Sequence, residues 1–130
     1  MTREIPPQVR AFVLRHVRSV DHLEILLWMR EHRGRWWNAE TLASSLGVPM
    51  SLGEKILEEL CSANMLAVQV SSTISYQFSP ATPALEALVT EFVEVLRQSR
   101  VRVYGLIASP SARSVRDFAD AFKFRDKHRG

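Results

Sequence analysis

The spacing of apolar side chains divides the chain into helical stretches, with one place where the period drops from about 3.6 residues to 2. The stretch that organises the rest runs from Asn38 to Pro80, and its centre is a predicted helix from Ser51 to about Asn64. At 100° per residue, Leu52, Ile56, Leu57 and Leu60 share one side of that helix. Ser51, Glu54, Lys55, Glu58, Glu59 and Ser62 share the other. Ser51 and Glu54 have the spacing of a capping box, in which the serine oxygen accepts the Glu54 amide and the Glu54 carboxylate accepts the Ser51 amide. The pattern therefore predicts a start at Ser51, an inner face of core and an outer face offered to something else.

Upstream, Pro6 and Pro7 suit the first turn of a helix whose Val9, Phe12, Val13, His16 and Val17 lie on one side. Ser19 can cap a second helix, with Asp21 in its first turn. Val20 to Met29 is apolar nearly all round, which places it centrally in the core, and Arg30 to Gly34 ends it. Arg35-Trp36-Trp37 reads as a short extended segment. Asn38 then caps a third helix, Ala39 to about Leu46, with Leu42 and Leu46 inward and Gly47 ending it. Val48-Pro49-Met50 is the turn into the Ser51 helix.

Beyond Asn64, which tolerates the left-handed conformation, Leu66 to Val70 reads as a strand. Ser71 to Ile74 is a polar turn, and Ser75 to Ser79 pairs back as a second strand. Thr82 and Pro83 open a long helix, and Leu85, Leu88, Val89, Phe92, Val95, Leu96, Ser99 and Val103 keep an apolar stripe to about Ile107. A straight helix over that span is roughly 35 to 40 Å long. Pro110 and Ser111 break it, and Ser114 with Asp117 starts a last short helix bearing Val115, Phe118, Ala119 and Phe122. Lys123 to Gly130 is a basic tail.

Composition changes this picture mainly through charge. The 130 residues suffice for one domain with a real core. The net charge of +3 conceals a segregation: residues 1–35 carry +3, residues 36–96 carry −6 and residues 97–130 carry +6. In the middle segment Lys55 stands alone against seven glutamates. A lone cysteine, Cys61, precludes an internal disulfide and suits a space-filling role. No apolar run is long enough to span a membrane, and Met-Thr-Arg-Glu-Ile-Pro-Pro lacks a secretory pattern, so a cytoplasmic, non-membrane protein is expected.

With this order of elements, the chain resembles the winged helix-turn-helix domains of small bacterial transcriptional regulators, especially MarR-like ones that add terminal helices for dimerisation. The residues that carry the resemblance are Leu42-Ala43, Leu46-Gly47-Val48, Ile56, Leu60 and Met65-Leu66, followed by the Val68 to Phe78 hairpin as the wing. The resemblance implies a mainly α fold with a small β-hairpin wing and extra N- and C-terminal helices. It also implies that the Ser51 helix reads the major groove while the hairpin touches the backbone or the minor groove. The organisation expected is a helix in 1–18, a winged-helix domain in 19–80, a long dimerisation helix in 81–109, and a short helix with the basic tail in 110–130. The chemistry departs from the family's, because DNA binding draws on Lys and Arg at phosphates and this face is net negative.

The outer arc of Ser51, Glu54, Lys55, Glu58, Glu59 and Ser62, with Ser72 and Thr73 of the wing, is the first candidate surface for DNA or a partner. Its bland counterpart is a solvated face. Arg10, Arg15, Arg18, Arg113 and Arg116 are candidates for phosphate contact, against the alternative of charges that border an interface. Leu85, Leu88, Phe92, Val95, Leu96 and Val103 are the expected dimerisation stripe, the alternative being that they cover their own domain. Of Trp36 and Trp37, one is expected to point inward and the other to rim the core.

The histidines make no metal pattern, no glycine-rich phosphate loop or Gly-x-Ser-x-Gly turn occurs, and Asp117 with Asp120 has no implied pocket. The expectation is therefore a non-enzymatic protein without cofactor or metal. Its expected partners are a second copy of itself and either duplex DNA, as a transcriptional regulator, or a basic protein surface, as an interaction module.

Overall fold

The computed structural model describes residues 5–108. It is mainly helical with one small antiparallel sheet. The order is α1 (Pro7–His16), α2 (Val20–Glu31), β1 (Trp37–Asn38), α3 (Ala39–Leu46), α4 (Met50–Ser62), β2 (Leu66–Val70), β3 (Ile74–Phe78), α5 (Pro83–Gln98) and α6 (Arg100–Ile107). Two compact units share these elements. Asp21–Thr90 forms one, and the described residues up to Val20 and from Glu91 form the other. The expected helix of Val115, Phe118, Ala119 and Phe122, with Arg113, Arg116 and the basic tail, lies outside the described residues.

The Asp21–Thr90 unit is built around the packing of α4 on α3. The Asn38 side chain accepts the Thr41 amide at 2.7 Å and so starts α3. Gly47, at φ 69°, ends α3 in the left-handed conformation, and the Val48 amide reaches back to the Ala43 carbonyl at 3.1 Å. This turn folds α4 onto α3, where a Cβ on Gly53 would stand only 3.7 Å from the Ala43 Cβ. Leu42, Ile56, Leu57, Leu60 and Met65 are fully buried, as are Leu23, Ile25, Leu26 and Met29 along α2.

The sheet has the order β1-β3-β2. Trp37 lies opposite Tyr76, and Leu66, Val68 and Val70 lie opposite Phe78, Tyr76 and Ile74. Asn64, at φ 66°, turns the chain from α4 into β2. Trp37 is half-buried edge-on to Trp28, with ring centroids 4.5 Å apart, while Trp36 is exposed.

In the other unit α6 packs against α1, and Phe12 lies 5.3 Å from Phe92 between ring centroids. Val9, Phe12, Val13 and Val17 are buried along and just beyond α1, as are Val103, Leu106 and Ile107 on α6. His16 is half-buried beside Phe12, its ring 5.5 Å away.

Several expectations are corrected. The helix expected from Ser51 begins at Met50 with Pro49 at the cap, and no side chain caps it. Pro49 is extended and its carbonyl already accepts the Gly53 amide at 3.0 Å, so Ser51 falls inside the first turn and no capping box forms. Leu52, expected in the core, is half-buried because Gly53 faces α3. Cys61 is likewise half-buried.

The single long helix from Thr82 to Ile107 is two helices. Ser99 leaves helical geometry at φ −150° and ψ 62°, closing α5 through its amide to Val95 and opening α6 through its carbonyl to Arg102 and Val103. The bend returns α6 to α1, a packing gain that a straight continuation would forgo. It also removes the reason for expecting two chains to pair along one extended stripe. Phe92, Leu96 and Val103 are already buried within the chain, and Leu85, Leu88 and Val95 are half-buried.

Two measurements test this packing. Gly53→Ala has ordinary van der Waals room and removes a helix-interior glycine, so chemical denaturation should show a gain of roughly 0.5–1 kcal/mol. Gly47→Ala forces a Cβ into the left-handed region and should cost about 1 kcal/mol or more.

The second concerns His16, whose pKa is pushed below its usual 6.5 by burial first and then by Arg15 and Arg18. The fold therefore favours the neutral ring. Its contribution is complete above the unfolded pKa and is lost as pH falls from about 6.5 to the lower folded value. Denaturation midpoints measured across that window should fall less steeply with pH in His16→Gln than in the parent.

Candidate partner-binding face

α4 presents Ser51, Glu54, Lys55, Glu58 and Ser62 to solvent. The placement comes from the contact with α3: once Gly53, Ile56, Leu57 and Leu60 face inward, helical periodicity turns this set outward. Glu59 departs from the expected arc. It is half-buried, and its carboxylate lies 2.9 Å from the Nε2 of the buried His22, so it tethers α4 to α2. The predicted amphipathic pattern does not separate Glu59 from Glu58, because the partner, His22, comes from a different helix.

The β2–β3 hairpin contributes a second wall. Leu66, Val68 and Val70 share one face with Phe78, Tyr76 and Ile74. At the base this face is core, and Tyr76 is only 5% exposed. Towards the tip it runs out beyond the helices: Val68 is 48% exposed, Ile74 49% and Val70 74%. The tip itself, Ser71 to Thr73, is exposed and carries no charge.

A groove of about 310 Å3 lies where the start of α4 meets the hairpin. Its apolar lining comes from Met50, Ile74, Tyr76 and Ala39. Glu54 and Glu40 bring carboxylates to it, and Asn38, Ser72 and Thr73 complete the wall with neutral polar groups. Tyr76 senses the local charge: its pKa is raised above 10.0 by burial, then by the Glu58 carboxylate, with Cys61 and Glu54 adding to the effect. The sequence pattern points to Ser72, Thr73 and Glu54 but misses Met50 and Ile74. The available signal is the apolar alternation Leu66, Val68, Val70, which continues past the residues that α4 can cover.

The face is electronegative in its surroundings too. Asp21–Thr90 holds four Arg or Lys against eight Asp or Glu, a net charge of −4. Of those cations Arg33 is engaged, paired with Glu86 and lying 5.1 Å from the Phe78 ring centroid. Arg10 and Arg15 are exposed on α1, and Arg18 just beyond it is half-buried. Those three belong to the other unit. Among the described residues no group of three or more His, Cys, Asp or Glu side chains is gathered as a metal site requires, and no helix is long and apolar enough to cross a membrane.

No protein-family model matches the chain, and no curated protein matches it. Among solved structures it is similar to RV1404 from Mycobacterium tuberculosis, at 20% sequence identity and a TM-score of 0.50. The match covers 88% of this chain and 82% of that one. At this identity the likeness is one of fold alone.

The charge environment of Tyr76 gives a direct test. Replacing Glu54 and Glu58 together by Gln should lower its ionisation pKa in a spectrophotometric titration, read as the difference from a Tyr76→Phe control. Because burial is the larger cause, the value should remain above the ordinary tyrosine value.

Proposed function

We propose that the chain is a non-enzymatic protein of the winged helix-turn-helix kind that transcriptional regulators use, working by surface contact with a macromolecule. The observation that carries this reading is the α3–Gly47–α4 pair followed directly by the β2–β3 hairpin, with β1 closing the sheet and the outer face of α4 left exposed. In that arrangement α4 is the recognition helix and the hairpin the wing. Duplex DNA is the partner this architecture suggests, with Arg10 and Arg15 as exposed cations suited to phosphate.

A second reading, a protein-interaction module, is favoured by a specific observation. The exposed face of α4 carries Glu54 and Glu58 against Lys55, and the hairpin tip bears no cation at all. A surface of this sign repels phosphate and attracts basic protein segments.

Retention on duplex DNA measured from low to moderate salt distinguishes the two. A DNA-binding regulator loses affinity log-linearly with salt, with a slope of roughly 0.9 per phosphate neutralised, and several phosphates should be counted. Joint replacement of Glu54 and Glu58 by Gln should then strengthen retention. Absence of retention at every salt concentration removes the DNA reading and leaves the protein one.

A further inference from the structure

The hairpin carries its apolar face past the helices it packs against. Val68, Val70 and Ile74 are exposed there, and Ile74 lines a groove with the exposed Met50 from the first turn of α4. Apolar side chains scattered singly on a surface need no explanation, but Ile74 and Met50 come from different elements and share this groove. The groove has room for a couple of side chains and lies at the small end of cofactor sites, which range over about 300–1,000 Å3. Met50, Glu40, Glu54, Ser72, Thr73 and Ile74 on its rim are exposed, so an occupant can enter from the side as part of a longer chain.

Charge selects the kind of chain. Glu54 and Glu40 both line the groove, and Glu58 follows Glu54 one helical turn later on the same exposed face of α4. No Lys or Arg lines the groove. An acidic or phosphorylated segment would meet uncompensated like charge, and a wholly apolar one would leave the carboxylates without gain. A segment that places an apolar side chain against Ile74, Met50 and Tyr76, and an Arg or Lys within reach of Glu54 and Glu40, satisfies both halves of the surface.

We infer that the groove between the start of α4 and the β2–β3 hairpin is a docking site for a basic, apolar-anchored segment of a partner protein. The inference rests on the protein-contact reading of this face. The arginine or lysine supplies orientation and encounter rate, and the apolar anchor supplies desolvation.

The test uses the full chain and dye-labelled synthetic peptides read by fluorescence polarisation. One peptide alternates Leu and Arg; its controls alternate Ser and Arg, or Leu and Glu. The Leu–Arg peptide should bind at least tenfold more tightly than either control. Glu54→Lys should weaken it at least tenfold, and so should Ile74→Ser, with unchanged circular dichroism for both variants.

Equal binding of the Leu–Arg and Ser–Arg peptides would reduce the surface to diffuse charge attraction and overturn the inference. So would Leu–Arg binding that both variants retain. Sedimentation that shows self-association lost in Ile74→Ser would assign the groove to a second copy of this chain instead. Duplex retention separates this outcome from the function reading. A chain that binds DNA and none of the peptides keeps its regulator role and loses this site, while peptide binding without DNA retention keeps the site and discards the regulator role.

Discussion

The contact between α3 and α4 governs most of the architecture of the Asp21–Thr90 unit. Gly47 turns the chain back with a left-handed residue, and Gly53 lets the second helix lie close to Ala43. A side chain larger than a methyl group at Gly53 would push the helices apart and rotate α4 about its own axis. With the axis fixed, periodicity leaves no choice about Glu54, Lys55 and Glu58, which must face outward. The outward-facing set on α4 thus follows from the way α4 packs on α3.

The hairpin obeys a different constraint. Its inner face is continuous from Leu66 and Phe78 to Val70 and Ile74, and that one stripe is core at one end and surface at the other. Tyr76 sits at the crossover, buried yet within range of the Glu58 and Glu54 carboxylates. Apolar floor and acidic wall meet where the exposed end of that stripe faces the first turns of α4.

The elements most legible in the sequence are those governed by neighbours a few residues away. Asn38 as a cap, Gly47 and Asn64 as left-handed turns, and the strand from Leu66 to Val70 all derive from local chemistry. The start of α4 is less legible because two local signals compete, and Pro49 takes the cap position two residues before Ser51 could. The division at Ser99 is invisible because the apolar period runs on through it; only the packing of α6 on α1 makes the bend favourable. The groove is half legible: its polar rim reads as a turn, whereas Met50 and Ile74 come together only in three dimensions. Glu59 shows the same limit, since its partnership with His22 has no sequence signature.

β2 closes one side of the sheet, and among the described residues no strand pairs with its outer edge. From Leu66 to Val70 it contains neither a charge nor a proline, two of the devices by which edge strands discourage unwanted pairing. An uncapped strand of this composition is a template for intermolecular ladder growth, and crowding raises that hazard. Whatever covers the outer edge of β2 therefore doubles as a guard against aggregation.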